Sequence, residues 1–141
     1  MLSLAYISTA TDPMTDAELA ELLVRSRAQN RRAHITGFLL YKAGRFFQFL
    51  EGPEESVRER MAVIGADPRH RNVAILLEDQ PAKRQFPQWT MGFEPVDDSL
   101  VSSIPGFRET FKAPTDSTGT GVALRQLIGW FQLRAQETAS V

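Results

Sequence analysis

The chain has 141 residues, 43% of them apolar and 23% charged, with a net charge of −1; this describes an ordinary globular domain with a real core and leaves no global basic footprint for nucleic acid. It has no cysteine, which excludes disulfides, thiolate metal ligands and a cysteine nucleophile, and its two histidines are too few for a zinc site without carboxylate help. The start, MLSLAYISTATDP, lacks the basic head and long apolar run of a signal peptide, and no segment approaches the ~20 apolar residues of a membrane span, so a cytoplasmic protein is expected.

Residues 2–8, LSLAYIS, alternate as a strand, with Leu2, Leu4, Tyr6 and Ser8 on one face. TDPMTDAELAELLVRSRAQN (11–30) reads as a helix, opened by a Thr15/Glu18 capping box and carrying a stripe of Leu19, Leu22, Leu23 and Ser26. ITGFLLY (35–41) and RFFQFLE (45–51) form a hairpin around Lys42-Ala43-Gly44, with Gly44 free to take positive φ. Pro53 suits the first position of a second helix, Glu54 and Glu55 its N-terminal turn, and Val57, Met61 and Ile64 its inward stripe; Gly65 and Pro68 end it. NVAILLE (72–78) is a continuous apolar run, expected to be a strand buried on both faces. PAKRQFPQ is then a loop and WTMGFEP (89–95) a short last strand.

The order β-α-β-β-α-β, plus one more strand, defines an α+β, ferredoxin-like sheet with two helices on one face. The handedness of its crossover places the third strand between the first two, antiparallel to both, so Tyr6 lies beside the strand that carries Gln48. The remaining face needs cover. Ile104, Phe107 and Phe111 suggest a short helix, 112–121 (KAPTDSTGTG) a polar linker, and VALRQLIGWFQLRAQ an amphipathic helix with Leu124, Leu127, Ile128 and Phe131 at i, i+3, i+4, i+7. These C-terminal helices are expected to cover the free face, with Trp130 widening the apolar surface toward a partner or another subunit. The division expected is a domain over 1–96 and a helical extension over 97–141.

Three groups of polar residues stand out. Gln48 interrupts the apolar strand FFQFLEGP, and an unpaired buried amide costs about 1–3 kcal/mol. It therefore faces water or has a partner, and alternation offers the phenol of Tyr6; the pair is either a structural bond in the core or one side of a site for a planar ligand between the helices. Asn30 at the end of the first helix is either a cap or an amide that can donate and accept to such a ligand. Asp67, Arg69 and His70, in DPRHR, form either a solvated turn or a site for a phosphate or polar ring edge, and the Arg31-Arg32 pair could also meet an anion. No Walker loop, GxGxxG or Ser-His-Asp spacing is present.

In order and spacing, LAYIS, SRAQN, ITGFLLY, FFQFLEG, DPRH and RQFPQWTMGF resemble the BLUF domain, a blue-light sensor domain that uses flavin, over residues 2–95. The short chain with a helical tail is similar to the stand-alone members, which have no output enzyme. The resemblance implies a ferredoxin-like sheet with the flavin ring between its two helices, and FAD as cofactor, with FMN or riboflavin as alternatives. It assigns electron and proton donation to Tyr6 and the amide link between phenol and flavin to Gln48. Asn30 matches the residue at the polar ring edge, Asp67, Arg69 and His70 match flavin-site residues, and Ile35 and Ile64 match the aliphatic pair flanking the ring. Trp89 and Met91 match the last-strand residues that couple the photocycle to the sheet. It further implies a non-enzymatic photoreceptor, self-assembly into a homo-oligomer, and a downstream protein partner.

In the implied mechanism Tyr6 gives an electron and a proton through Gln48, the charges recombine, and Gln48 is left rearranged. Because O and NH₂ differ in hydrogen-bonding role, the rearranged amide presents a new pattern and shifts absorption to the red. Two positions depart from the family: Gln29 stands where many members have Asn, and His34, expected as an exposed loop residue, where Gly is usual. A ferredoxin-like enzyme such as an acylphosphatase needs an anion-cradling loop with a catalytic Arg after the first strand, and TATDPMT offers none. The remaining rival is a protein-interaction domain in which Gln48 is structural.

Overall fold

The computed structural model describes residues 1–87, 89–93, 104–106, 110 and 120–139, with burial of the final helix described over 124–135. The expected domain boundary at 96/97, most of the linker over 112–121, and Phe107 and Phe111 lie outside the described residues. The elements are β1 (Leu2–Ala10), α1 (Asp16–Ala33), β2 (Thr36–Lys42), β3 (Arg45–Gly52), α2 (Glu54–Ala66), β4 (His70–Asp79), β5 (Gly92–Phe93) and α3 (Thr120–Ala139). The sheet order is β4-β1-β3-β2-β5, with β3 antiparallel to both β1 and β2 as the crossover rule requires. Among the described residues no helix is long and apolar enough to cross a membrane.

Local chemistry explains the helix ends. Thr15 accepts from the Glu18 N–H while Glu18 reaches back to the Thr15 N–H, a complete capping box. Helix α1 continues three residues beyond Asn30, and its cap is His34, at φ +59°, whose N–H bonds back into the last turn. His34 is exposed, as expected, but the left-handed backbone there is costly for a residue with a Cβ. Pro53 stands one position earlier than expected, as the cap of α2 rather than its first residue. Ala43 and Gly44, both at positive φ, make the two-residue turn that brings Lys42 opposite Arg45.

Strand alternation sorts the core into two halves. Leu2, Leu4, Tyr6, Phe46 and Leu50 face α1 and α2 together with Leu19, Leu23, Val57 and Ile64. Ala5, Ile7, Phe38, Leu40, Phe47 and Phe49 face α3, which contributes Leu124, Leu127, Ile128 and Phe131, with Ile104 and Phe86 filling between. The Phe38 and Phe131 rings stack at 4.7 Å, and each fully buried apolar side chain on α3 contributes roughly 1.5–3 kcal/mol. The amphipathic tail thus covers the second face of the sheet, and Trp130 is half-buried against Phe131.

Two expectations are corrected. The apolar run 72–78 is not buried on both faces: β4 ends the strand order, its residues are half-buried or exposed, and Ile75 is 50% exposed. A continuous apolar run cannot by itself distinguish a central strand from an edge strand covered unevenly by its neighbours. The expected strand 89–95 contracts to Gly92–Phe93, parallel to β2, with 89–91 irregular.

Candidate functional site: a cleft floored by Tyr6 and Gln48

Tyr6 and Gln48 are direct cross-strand partners in the β1–β3 register. Both are buried, and the Tyr6 hydroxyl donates to Gln48 Oε1 at 2.5 Å. Burial pushes the Tyr6 phenol well above its ordinary pKa, the nearby Arg60 charge opposes the shift and Asp67 adds to it. The phenol therefore stays protonated, as a donor, at neutral pH. The other end of the amide donates through Nε2 to Met91 Sδ at 3.3 Å, a weak acceptor. Gln48 is thus a bridge between the centre of the sheet and the segment before β5.

Above this floor lies a cleft of about 560 Å³ including its open mouth. Helix α1 lines it with Leu22, Ser26 and Gln29, helix α2 with Arg60, Val63 and Ile64, and the turn into β4 with Asp67, Arg69 and His70. His70 is half-buried, bonded through Nδ1 to the Ser8 hydroxyl at 2.9 Å and edge-on to Tyr6 at 6.4 Å. Burial lowers its pKa below the ordinary value, Asp67 opposes this and Arg69 adds to it. Asp67 accepts from both the backbone and the guanidinium of Arg69, the shorter guanidinium contact being 2.7 Å. Those side-chain bonds hold the Asp67 carboxyl below the usual carboxylate range, although burial opposes them.

The remaining expected residues divide. Asn30 is buried, and its Nδ2 donates to the Thr90 carbonyl at 3.1 Å, but its Oδ1 is buried without a hydrogen-bond partner. Ile35 is buried in the same half of the core without lining the cleft. Met91 joins Gln48 on the cleft side; Trp89 lies across the sheet, stacked on Phe86 and edge-on to Phe38. Spacing does not reveal this separation, because residues two apart share a face in a regular strand and 89–91 is not one.

Other residues contribute without having stood out in the sequence. Arg27 donates from Nε to the Met91 carbonyl at 3.0 Å, so α1 holds the 90–91 segment at two points. Arg60 occupies an inward position of α2, three residues after Val57 and four before Ile64; a cation within an apolar helical stripe is the available signal. Glu51, fully buried on the opposite side of β3, accepts from the Phe86 N–H at 2.6 Å and from Ser3 at 3.3 Å. Its interaction partners are distant in sequence, so no local pattern exposes them.

The chemistry of this site suits a flat, edge-polar ring. The walls supply aliphatic surface, the floor supplies an amide and a phenol, and an unpaired buried carbonyl oxygen, Asn30 Oδ1, stands one turn beyond Ser26. A ring bearing both N–H and C=O groups along one edge fits this donor and acceptor set. Fold and site together define a ferredoxin-like module with an open cleft between its two helices.

Residues 1–92 match the family described as sensors of blue-light using FAD. The chain is 36% identical over 110 residues to the photoactivated adenylate cyclase subunit beta of Euglena longa, covering 77% of this chain and 13% of that protein. It is similar in structure to the BLUF protein BlrB in its dark state, with a TM-score of 0.73 and 27% identity over 91% of this chain and 95% of that one. It is also similar to Klebsiella pneumoniae BlrP1 with FMN and cyclic diGMP, with a TM-score of 0.66 and 31% identity over 92% of this chain and 35% of that one. The chain belongs to the BLUF family of blue-light flavin sensors. It spans only about an eighth of the length of the Euglena relative.

Proposed function

We propose that this chain is a cytoplasmic light switch that holds FAD in the cleft between α1 and α2 and signals by changing a protein contact, in a homo-oligomer or with a downstream protein, rather than by catalysis. The observation that carries the reading is Gln48, whose amide spans from the Tyr6 hydroxyl to the sulfur of Met91 in the floor of the cleft. Ile64, Asp67, Arg69 and His70 in its walls would hold the cofactor, with Asn30 at the end of α1 and with Ile35 packed in the core behind the lining rather than in it. Bound flavin supplies absorption of blue light and a transient acceptor for an electron.

The chain's own residues carry the switch. Tyr6 would be the buried donor of an electron and a proton, both of which return to it when the charges recombine, and its hydrogen bond to Gln48 Oε1 sets the proton's path. If the amide turns end for end, NH₂ faces the phenol oxygen, which can accept, and the carbonyl faces Met91 Sδ, which cannot donate. The rotated carbonyl then has no partner at Met91, and the sulfur loses its contact. The change is passed to the 89–91 segment, which Gly37 N–H, Asn30 and Arg27 hold by the carbonyls of Trp89, Thr90 and Met91. Trp89, on the far side of the sheet, packs in the cluster that contains α3 and is the step toward the tail.

A light-minus-dark absorption spectrum, with molecular size measured in both states, tests this directly. Purified protein should be yellow and should shift reversibly to the red. Gln48→Leu should retain flavin and lose the shift. Colourless protein that takes up no flavin on refolding would refute the photoreceptor reading and leave the interaction-domain reading. Equal protease sensitivity of the tail in light and dark would refute the route through α3.

A further inference from the structure

The wall of the cleft carries one cation that no hydrogen bond or ion pair engages among the described residues. Asp67 is engaged by Arg69 through its backbone and both side-chain oxygens, so those two charges offset each other locally. Burial keeps His70 toward its neutral form. Arg60, also in the wall, is half-buried, and its guanidinium has no hydrogen-bond or ion-pair partner among the described residues. The contrast with Arg58 on the same helix is informative: Arg58, on the exposed face, pairs with both Glu54 and Glu78 at 3.0 Å. Glu54 and Glu78 thus engage the outward arginine and Asp67 is held by Arg69, which leaves the inward Arg60 without a hydrogen-bonded carboxylate among the described residues.

Desolvating a cation without a partner is unfavourable, and burial accordingly lowers the Arg60 pKa, with Arg69 adding to the effect while Tyr6 and Asp67 oppose it. A buried structural arginine ordinarily meets a carboxylate or a row of carbonyls. A ligand-binding arginine is left open for an anion, and its planar fork matches phosphate oxygens two at a time. The position is therefore suited to a ligand that combines a flat ring with a phosphate.

We infer that Arg60 is the recognition group for the 5′-phosphate of a phosphorylated flavin, FMN or the corresponding half of FAD, and gives the cleft its preference over riboflavin. This rests on the flavin reading above and adds to it the chemical feature that selects among flavins. Arg69 remains tied to Asp67 and shapes the turn; Arg60 meets the anion.

The test is a fluorescence-quenching titration of the full chain, depleted of flavin, with riboflavin, FMN, FAD, and riboflavin in the presence of inorganic phosphate. Wild type should bind FMN and FAD about 10- to 100-fold more tightly than riboflavin, the range of a charge-assisted contact. Arg60→Leu should remove that advantage while leaving riboflavin affinity within about 2-fold, and Arg60→Lys should restore part of it. Added phosphate should not enhance riboflavin binding if the phosphate must be covalently part of the ligand; enhancement would overturn the assignment to the flavin's own phosphate. Should Arg60→Leu fail to fold, Arg60→Gln, which keeps the length and polarity, serves in its place. An FMN advantage that survives loss of the cation, equal weakening of all three flavins, or equal wild-type affinity for all three would each overturn the assignment to Arg60. Wild type that binds no flavin at all would instead overturn the flavin reading on which it rests.

Discussion

The Tyr6–Gln48 bond should be detectable as a coupling energy in the dark, with no photochemistry involved. Tyr6→Phe removes the hydroxyl and leaves Gln48 Oε1 without its 2.5 Å donor; Gln48→Leu removes the amide and leaves the phenol without its acceptor. Both groups are buried, at 1% and 7% exposure, so each single substitution strands a polar group at a cost of roughly 1–3 kcal/mol. The double substitution strands neither and should cost less than the sum of the two by about 1 kcal/mol or more. At roughly 2–4 °C per kcal/mol for a chain of this size class, the discrepancy is resolvable by thermal melting and more securely by urea titration. Flavin-depleted full-length protein is needed, because ligand affinity would otherwise enter the measured stability. Additivity within about 0.5 kcal/mol would show that the two side chains do not depend on each other, and the bridge would lose its physical basis.

The same geometry has other consequences. His34→Gly should stabilise the chain by about 0.5–1 kcal/mol, since the left-handed cap strains any residue with a Cβ, and a β-branched residue there should destabilise it; urea midpoints decide. Glu51→Ala should cost about 2–4 kcal/mol, because it leaves the buried Phe86 N–H and Ser3 hydroxyl unpaired, and a loss below about 0.5 kcal/mol would contradict the anchoring role. His70 has a folded-state pKa depressed below its ordinary 6.5; its contribution is complete above about pH 6.5 and is lost as pH falls through the folded pKa. The stability–pH curve should therefore fall below about pH 6.5, and His70→Gln should flatten that part of it. An unchanged slope would show that the histidine is not held neutral by burial.

Much of the fold is legible in the sequence because its signals are local. The Thr15/Glu18 box, the Ala43-Gly44 turn and the i, i+3, i+4, i+7 stripe on α3 each require only a few neighbouring residues, and each appears where expected. The Tyr6–Gln48 contact is legible one step further, because strand order and alternation together place the two side chains on one face. Gln29 indeed lines the mouth of the cleft, at the position where it departs from the family. The features that escape a sequence reading depend on the third dimension. The edge position of β4 follows from sheet order rather than from its own apolar run. The carbonyl contacts of Arg27 and Asn30 reach residues 64 and 60 positions away, and a side chain–backbone bond leaves no complementary residue type to find in the sequence. Arg60 carries a visible signal, a charge in an inward register, which the surrounding run of Arg and Glu on α2 obscures.

The segment between Phe86 and β5 matters to the proposed route, in which a signal would cross a sheet whose two faces are separate cores. Gln48 points to one face and α3 packs on the other. Trp89 and Met91 span this divide: the intervening backbone is irregular, so the sulfur reaches Gln48 while the indole joins Phe38 and Phe86. Gly92 makes this arrangement sterically accessible, for a Cβ there would overlap Trp89 Cε3 and sit 2.6 Å from Cδ2. The clash is with a ring packed among other aromatics, so the indole must shift, at about 1–3 kcal/mol for overpacking. Gly92→Ala should therefore alter Trp89 emission in a Trp130→Phe background and lower the urea midpoint, while the Tyr6–Gln48 coupling energy persists. The expected separation is specific: a residue beside Met91 in sequence disturbs the far face of the sheet and spares the floor of the cleft. Unchanged Trp89 emission would mean that Gly92 does not set the packing of the indole, and loss of the coupling energy would mean that the two faces are less separate than their packing indicates.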